Sequence, residues 1–235
     1  MSNYAMILAA GGGLRMGANV PKQYLPLLNK PLIFHTIDVL SKHSLIDKIF
    51  VLLSPIDTYF NNYNWKEFEH KLIPLFCGGN TRAETVLNGL NGAKNIISAE
   101  DWVLVHDAVR PCLDLGSVTR LIEGVQNDEV GGILALPVVD TLKRAGVDGR
   151  IISTQPRDHL WRAQTPQMFR YKLLIDAHLA VDPKTVTDEA GTIEQLGYTP
   201  KLVMGNEHNI KVTYPDDLIV AENNLERKKI TDNYN

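Results

Sequence analysis

Four stretches of this 235-residue chain run apolar almost without interruption: "AMILAA" at 5–10, "KIFVLLS" at 48–54, "WVLVHD" at 102–107 and "GGILALPV" at 131–138. Alternating residues would mark strands with one wet face, whereas unbroken runs mark strands buried on both faces of a mostly parallel sheet. Helical spacing fills the intervals. In "TRAETVLNGLNG", Ala83, Val86, Leu87 and Leu90 fall on one helix face, and "PLIFHTIDVLSKH" and "SVTRLIEGVQ" behave alike. Strand and helix in alternation predict a three-layer α/β sandwich. A hydrophobic content of 44% supplies enough apolar surface for one domain spanning residues 1–235.

One stretch departs from this pattern. "PVVDTLKRAGVDGRIISTQPRDHL", at 137–160, holds two β-type runs around Asp148-Gly149, a dipeptide suited to a tight turn. It carries too few large apolar residues to join the main core, which predicts a protruding β-hairpin arm over 137–158 that packs on another subunit. Further on, the pattern predicts a helix near 171–181, a "TDEAGTIEQLG" helix stopped by Gly197, a strand at "NIKVT" (209–213), a final helix from Pro215 and a short polar tail from about 227.

Composition narrows the function. With 24 Lys plus Arg against 27 Asp plus Glu, the net charge of -3 draws the chain to neither nucleic acid nor an anionic membrane, so a bound anion needs a local cluster. Cys77 and Cys112 stand outside any metal-ligand spacing and are too few for a disulfide framework, as expected of a cytoplasmic protein. The opening residues lack a basic region, and their apolar run is too short for a membrane span; they read as the first strand.

That strand leads into "LAAGGGLRMGANVPK" at 8–22. Glycines at a strand's carboxyl end let backbone N–H groups approach an anion closely, which makes Gly11, Gly12 and Gly13 candidates to cradle phosphate. Met16 breaks the dinucleotide fingerprint, and Ala18 and Asn19 break the Walker loop. The missing acidic residue at "LLSP" also disfavours a dinucleotide oxidoreductase. Arg15 and Lys22 add a planar fork and a point charge suited to phosphate. Asp107, ending a buried strand in "VHDAVRP", suits a Mg²⁺ ion bridging phosphate oxygens. "GGNTRAET" at 78–85 opens a helix that Thr81 can cap. Each feature also has a bland explanation: a solvated turn for the glycine loop, a cap or ion pair for Asp107, a packed loop for "RDHLWRAQTPQMF" (157–169), a helix start for "TDEA" (187–190), an exposed strand face for Lys211.

In this order, "LAAGGGLRMG…PKQY", "GGNTRAET", "HDAVRP", "DTLKRA", "TPQMF", "TDEA" and "NIKVT" resemble the 2-C-methyl-D-erythritol 4-phosphate cytidylyltransferase family, over residues 5 to about 225. The resemblance implies a Rossmann-like sheet and transfer of a cytidylyl group from CTP to methylerythritol phosphate, with pyrophosphate released. It implies that Arg15 and Lys22 stabilise the α-phosphate and the leaving group. The backbone at Ala9, Ala10 and Gly11, with Gly78 and Thr85, would hold cytosine and ribose; Asp107 would bind Mg²⁺ with Ala108 and Arg110 beside it. Thr141, Arg157 and Lys211 would hold the acceptor phosphate, with Arg110 and Thr165 of "TPQMF" also counted among the substrate-binding residues. Thr141 and Arg157 would come from the arm of the other subunit in a homodimer. Asn80, Thr81 and Thr85 stand where the family commonly has acidic residues and a serine, so altered detail in the nucleotide site is expected. A sister family taking ribitol 5-phosphate shares the glycine loop, "PKQ" and "TPQ"; "DTLKRA" with "TDEAGT" favours methylerythritol phosphate. A nucleotide-binding protein without turnover is the remaining alternative.

Overall fold

The structure, a computed structural model, describes residues 1–12 and 20–232. Among the described residues, β1 (Asn3–Ala9) is followed by a 3₁₀ turn (Lys22–Tyr24), the short pair β2 (Pro26–Leu27) and β3 (Lys30–Pro31), α1 (Leu32–Lys42), β4 (Lys48–Leu53), two further 3₁₀ turns (Phe60–Asn62 and Lys66–Phe68) and β5 (Leu72–Phe76). The chain continues through α2 (Arg82–Ala93), β6 (Trp102–Asp107), α3 (Leu115–Val125), β7 (Gly131–Pro137), β8 (Leu142–Ala145) and β9 (Ile151–Gln155). It closes with β10 (Trp161–Arg170), α4 (Tyr171–Ala180), α5 (Glu189–Glu194), β11 (Lys201–Met204) and α6 (Pro215–Asp232).

Seven strands form one sheet in the order β11-β7-β10-β6-β1-β4-β5. β4 and β6 run parallel to β1, which lies between them, and β10 runs antiparallel to both β6 and β7. The apolar runs are buried on both faces as the sequence predicts. Along β1, Ala5, Ile7 and Ala9 face a cluster that contains Ile33 and Ile37 of α1 and Val118 and Leu121 of α3. Tyr4 and Met6 face a second cluster with Val86 of α2, Leu174 of α4 and Ile193 of α5. The helices therefore cover opposite faces, which makes the three-layer sandwich. Residues Ile49 to Leu53 of β4 have no exposed surface, and each large side chain there contributes roughly 1.5–3 kcal/mol by leaving water.

Side-chain caps set the starts of α2, α3 and α5. Thr81 and Glu84 form a reciprocal capping box at α2, and Asp188 accepts the Gly191 N–H at 2.9 Å to start α5. Gly197, with φ of +85°, ends the following turn.

Three expectations need correction. "NIKVT" is no strand: the Val212 N–H donates to the Val109 carbonyl at 2.9 Å, outside any ladder, and Val212 is buried in a third cluster with Leu225 of α6. The segment at 161–170 is a sheet strand rather than a packed loop; it buries Phe169 while leaving Trp161 exposed. The region from 227 continues α6 to Asp232 instead of forming a tail. The expected hairpin is present within the 137–158 stretch, pairing Leu142–Ala145 with Ile151–Gln155 apart from the main sheet. Its turn uses Gly149 at φ +76°, the conformation an Asp-Gly turn supplies. Among the described residues, no helix is long and apolar enough to cross a membrane.

Candidate active site

The carboxyl ends of β1 and β6 open on a cavity of about 730 Å³, the place where sheets of this kind bind ligands. Ala10, Gly11 and Gly12 form one wall and residues 79–81, Arg82 and Thr85 another; Lys22, Asp107 and Lys211 complete it. The two glycine loops meet closely. A Cβ on Gly78 would lie 2.4 Å from the Ala10 Cβ, so only glycine lets them touch. Behind the wall, the Gly78 N–H donates to the Leu53 carbonyl at 2.8 Å, and Gln23 Nε2 donates to the Ala9 carbonyl at 2.7 Å. Thr85 Oγ1 accepts the Gly79 N–H and donates to the Thr81 carbonyl, both at 3.0 Å, so its proton is used in shaping the loop.

Asp107 is the electrostatic centre. Its Oδ2 lies 2.8 Å from Lys211 Nζ and 3.8 Å from Arg110 Nε, and its Oδ1 lies 3.6 Å from Arg82 Nε. Burial opposes ionisation here, but Arg82, Lys211 and Arg110 outweigh it and hold the carboxyl well below the usual carboxylate range. The neighbouring His106, with no exposed surface, goes the other way. Burial lowers it to about 4 and keeps it neutral, with Nδ1 bonded to Thr165 Oγ1 at 2.8 Å. Lys22 Nζ donates to the Val212 carbonyl at 3.2 Å, so the 209–213 segment holds both lysines of the cavity.

Of the residues singled out in the sequence, Ala10, Gly11, Gly12, Lys22, Thr85, Asp107 and Lys211 line this cavity. Ala9, Gly78, Ala108, Arg110 and Thr165 support it from behind. The Ala108 N–H donates to the Leu8 carbonyl at 3.2 Å, the Arg110 guanidinium donates to the Asn209 carbonyl at 2.7 Å, and Thr165 Oγ1 accepts the Asp107 N–H at 3.2 Å. Thr141 and Arg157 are exposed and lie on the arm, outside the cavity lining. Gly13 and Arg15 fall outside the described residues.

Sequence reasoning passed over Arg82, which lines the cavity, and Glu189, which holds it through a bidentate pair with one contact at 2.7 Å. A signal existed: Arg82 is the first residue of α2, where the helix dipole disfavours a cation. A cation there calls for a carboxylate partner.

A mostly parallel sheet with a glycine loop after its first strand, and cations converging on one carboxylate at its carboxyl edge, defines an α/β fold of the nucleotidyltransferase type. The chain belongs to the 2-C-methyl-D-erythritol 4-phosphate cytidylyltransferase family, whose model its residues 4–227 match. Curated relatives of that name include a protein of Nitrosomonas eutropha, 51% identical with 97% of this chain and 98% of the relative covered. Another, from Dechloromonas aromatica, is 52% identical over 97% and 99%. Among solved structures, a 4-diphosphocytidyl-2C-methyl-D-erythritol synthase superimposes with a TM-score of 0.85 at 38% identity, covering 95% of this chain and 98% of the other. The Francisella tularensis enzyme gives 0.80 at 34% identity, over 95% and 100%.

Proposed function

We propose that this cavity transfers a cytidylyl group from CTP to 2-C-methyl-D-erythritol 4-phosphate, giving 4-diphosphocytidyl-2-C-methyl-D-erythritol and pyrophosphate, a step in building isoprenoid precursors. The observation that carries this reading is the convergence of Arg82 and Lys211 on Asp107, with Lys22 in the same lining, in a cavity whose described lining holds no histidine, serine or cysteine. An acceptor phosphate is already an anionic nucleophile near neutral pH, so the reaction needs no general base. What opposes it is repulsion between acceptor and triphosphate, together with charge growing on the α-phosphoryl oxygens. Fixed cations answer both.

In this reading an acceptor phosphate oxygen attacks the α-phosphorus in line. The bond to the bridging oxygen of the β-phosphate breaks, and pyrophosphate departs. Lys22, with Arg15 by its place in the family's motif, stabilises the crowded phosphorus and the leaving group. Lys211 neutralises and aims the acceptor. The backbone at Ala10 to Gly12 faces the nucleotide. Asp107 fits a divalent cation: it is the one carboxylate among the described lining residues, it is held ionised, and Mg²⁺ is commonly bound by one or two carboxylates plus substrate phosphates. Mg²⁺ held there would neutralise phosphate charge.

We assign Thr141 and Arg157 to the acceptor site of a second copy. Their exposure on the hairpin arm supports this, as do the exposed Val139, Ile151 and Ile152 on the same arm, whose apolar surface a homodimer would cover. Mixing an Arg15→Ala chain with an Arg157→Ala chain should then restore activity that neither has alone; no recovery contradicts the shared site. The unpaired Cys77 and Cys112 support a cytoplasmic setting. The reaction is tested by phosphorus NMR of the protein with CTP, Mg²⁺ and methylerythritol phosphate. A new diphosphate diester with matching pyrophosphate supports the reading, and unchanged substrates refute it.

A further inference from the structure

"TDEA" acts in the sequence as a helix start, yet the structure gives it a second task. Glu189 is fully buried and grips both terminal nitrogens of Arg82. Its place is fixed from two sides: Gln167 Nε2 donates to Asp188 Oδ2 and Gln167 Oε1 accepts the Ala190 N–H, each at 2.9 Å. Arg82 is fixed in turn by the capping box of Thr81 and Glu84. Two helix starts on the same face of the sheet thus set a glutamate against an arginine at the cavity wall. On its other side, Arg82 Nε stops 3.6 Å from Asp107 Oδ1, beyond hydrogen-bond reach, while Lys211 holds Oδ2 at 2.8 Å.

We propose that Glu189 is a positioning residue for the transfer site: by clamping Arg82 from behind, it stops the guanidinium from closing on Asp107, so the carboxylate stays paired with Lys211 and presents Oδ1 to the cavity. A buried guanidinium needs a carboxylate, and a bidentate partner is the better one. Deprived of Glu189, Arg82 turns to Asp107. This assignment rests on the cytidylyl-transfer reading.

Three chains separate a positioning role from a merely structural one: the unaltered protein, Glu189→Gln, and the double variant Arg82→Met with Glu189→Leu. The double variant removes both charges, so it should fold about as well as the unaltered chain, since apolar replacement of a buried pair is often neutral. Glu189→Gln should lose about ten- to a hundredfold in kcat, as when outer-shell partners of a metal site are lost, with CTP affinity changed far less, and the double variant, with no guanidinium left to close on Asp107, should regain most of that loss. A folded double variant no more active than Glu189→Gln would overturn the proposal. A crystal structure of Glu189→Gln supplies a readout independent of turnover. Arg82 Nε should move to within hydrogen-bond distance of Asp107 Oδ1, and an unmoved Arg82 would also overturn it. If the unaltered chain fails to turn over CTP, the functional reading falls, and the position of Arg82 in the Glu189→Gln crystal still decides the clamp.

Discussion

Lys211 Nζ lies 2.8 Å from Asp107 Oδ2, so a segment near the end of the chain delivers a cation to the carboxylate that ends a central strand of the sheet. Lys211 keeps 42% of its side chain exposed, so its loss removes a screened pair and should cost stability no more than about 1 kcal/mol. In the proposed reaction its effect belongs to the acceptor. Lys211→Met should raise KM for methylerythritol phosphate about tenfold or more while CTP affinity holds, the pattern of a lost binding cation. Steady-state kinetics with calorimetric CTP titration checks this; an unchanged acceptor KM contradicts it.

Lys22 should act differently. If it stabilises charge that develops only in the transition state, Lys22→Ala lowers kcat by an amount corresponding to roughly 3 kcal/mol, as for loss of a preorganised donor, and weakens CTP binding far less. A raised KM with intact kcat would show that Lys22 binds ground state and transition state equally.

His106 makes stability depend on pH. Burial lowers its folded-state pKa to about 4, below its ordinary 6.5, so the folded protein resists a proton that the unfolded chain accepts. Its stabilisation is therefore complete above the ordinary value and is lost as pH falls toward the folded one, by roughly 3 kcal/mol across that window. His43 and His178, also lowered by burial, add slopes of the same sign. Denaturation midpoints between pH 7 and pH 4 should fall with acid, and His106→Asn, though less stable at pH 7, should show a shallower fall. Equal slopes would contradict the assignment.

The loop contact is equally exposed to test. Gly78→Ala drives a methyl to within 2.4 Å of the Ala10 Cβ and 3.0 Å of the Leu53 carbonyl, which forces the two glycine loops apart. We expect a stability loss of about 1–3 kcal/mol, as for overpacking, together with weakened CTP binding. Thermal melts and nucleotide titration measure both, and wild-type affinity in Gly78→Ala would show that the contact does not shape the nucleotide wall.

How far the sequence foretold this depends on where hydrophobicity carried the signal. β1, β4, β6 and β7 are buried on both faces, and their unbroken apolar runs announce them. The hairpin is announced by Asp148-Gly149. β10 is hidden because it buries polar residues, Gln164, Thr165 and Gln167, whose partners come from distant segments. β5 and β11 sit at the two edges of the sheet, half exposed and short, where the pattern fades. In the cavity, Lys22 and Asp107 stand in local motifs and were legible. Arg82 and Glu189 meet only through the packing of α2 beside α5, and periodicity within either helix says nothing about their meeting.

The central claim is settled most directly by pyrophosphate release from the purified chain with Mg²⁺ and CTP, measured with methylerythritol 4-phosphate, with ribitol 5-phosphate and without acceptor. Release dependent on methylerythritol 4-phosphate is the predicted result. Release with ribitol 5-phosphate in its place, or none with any acceptor despite CTP binding, would contradict it.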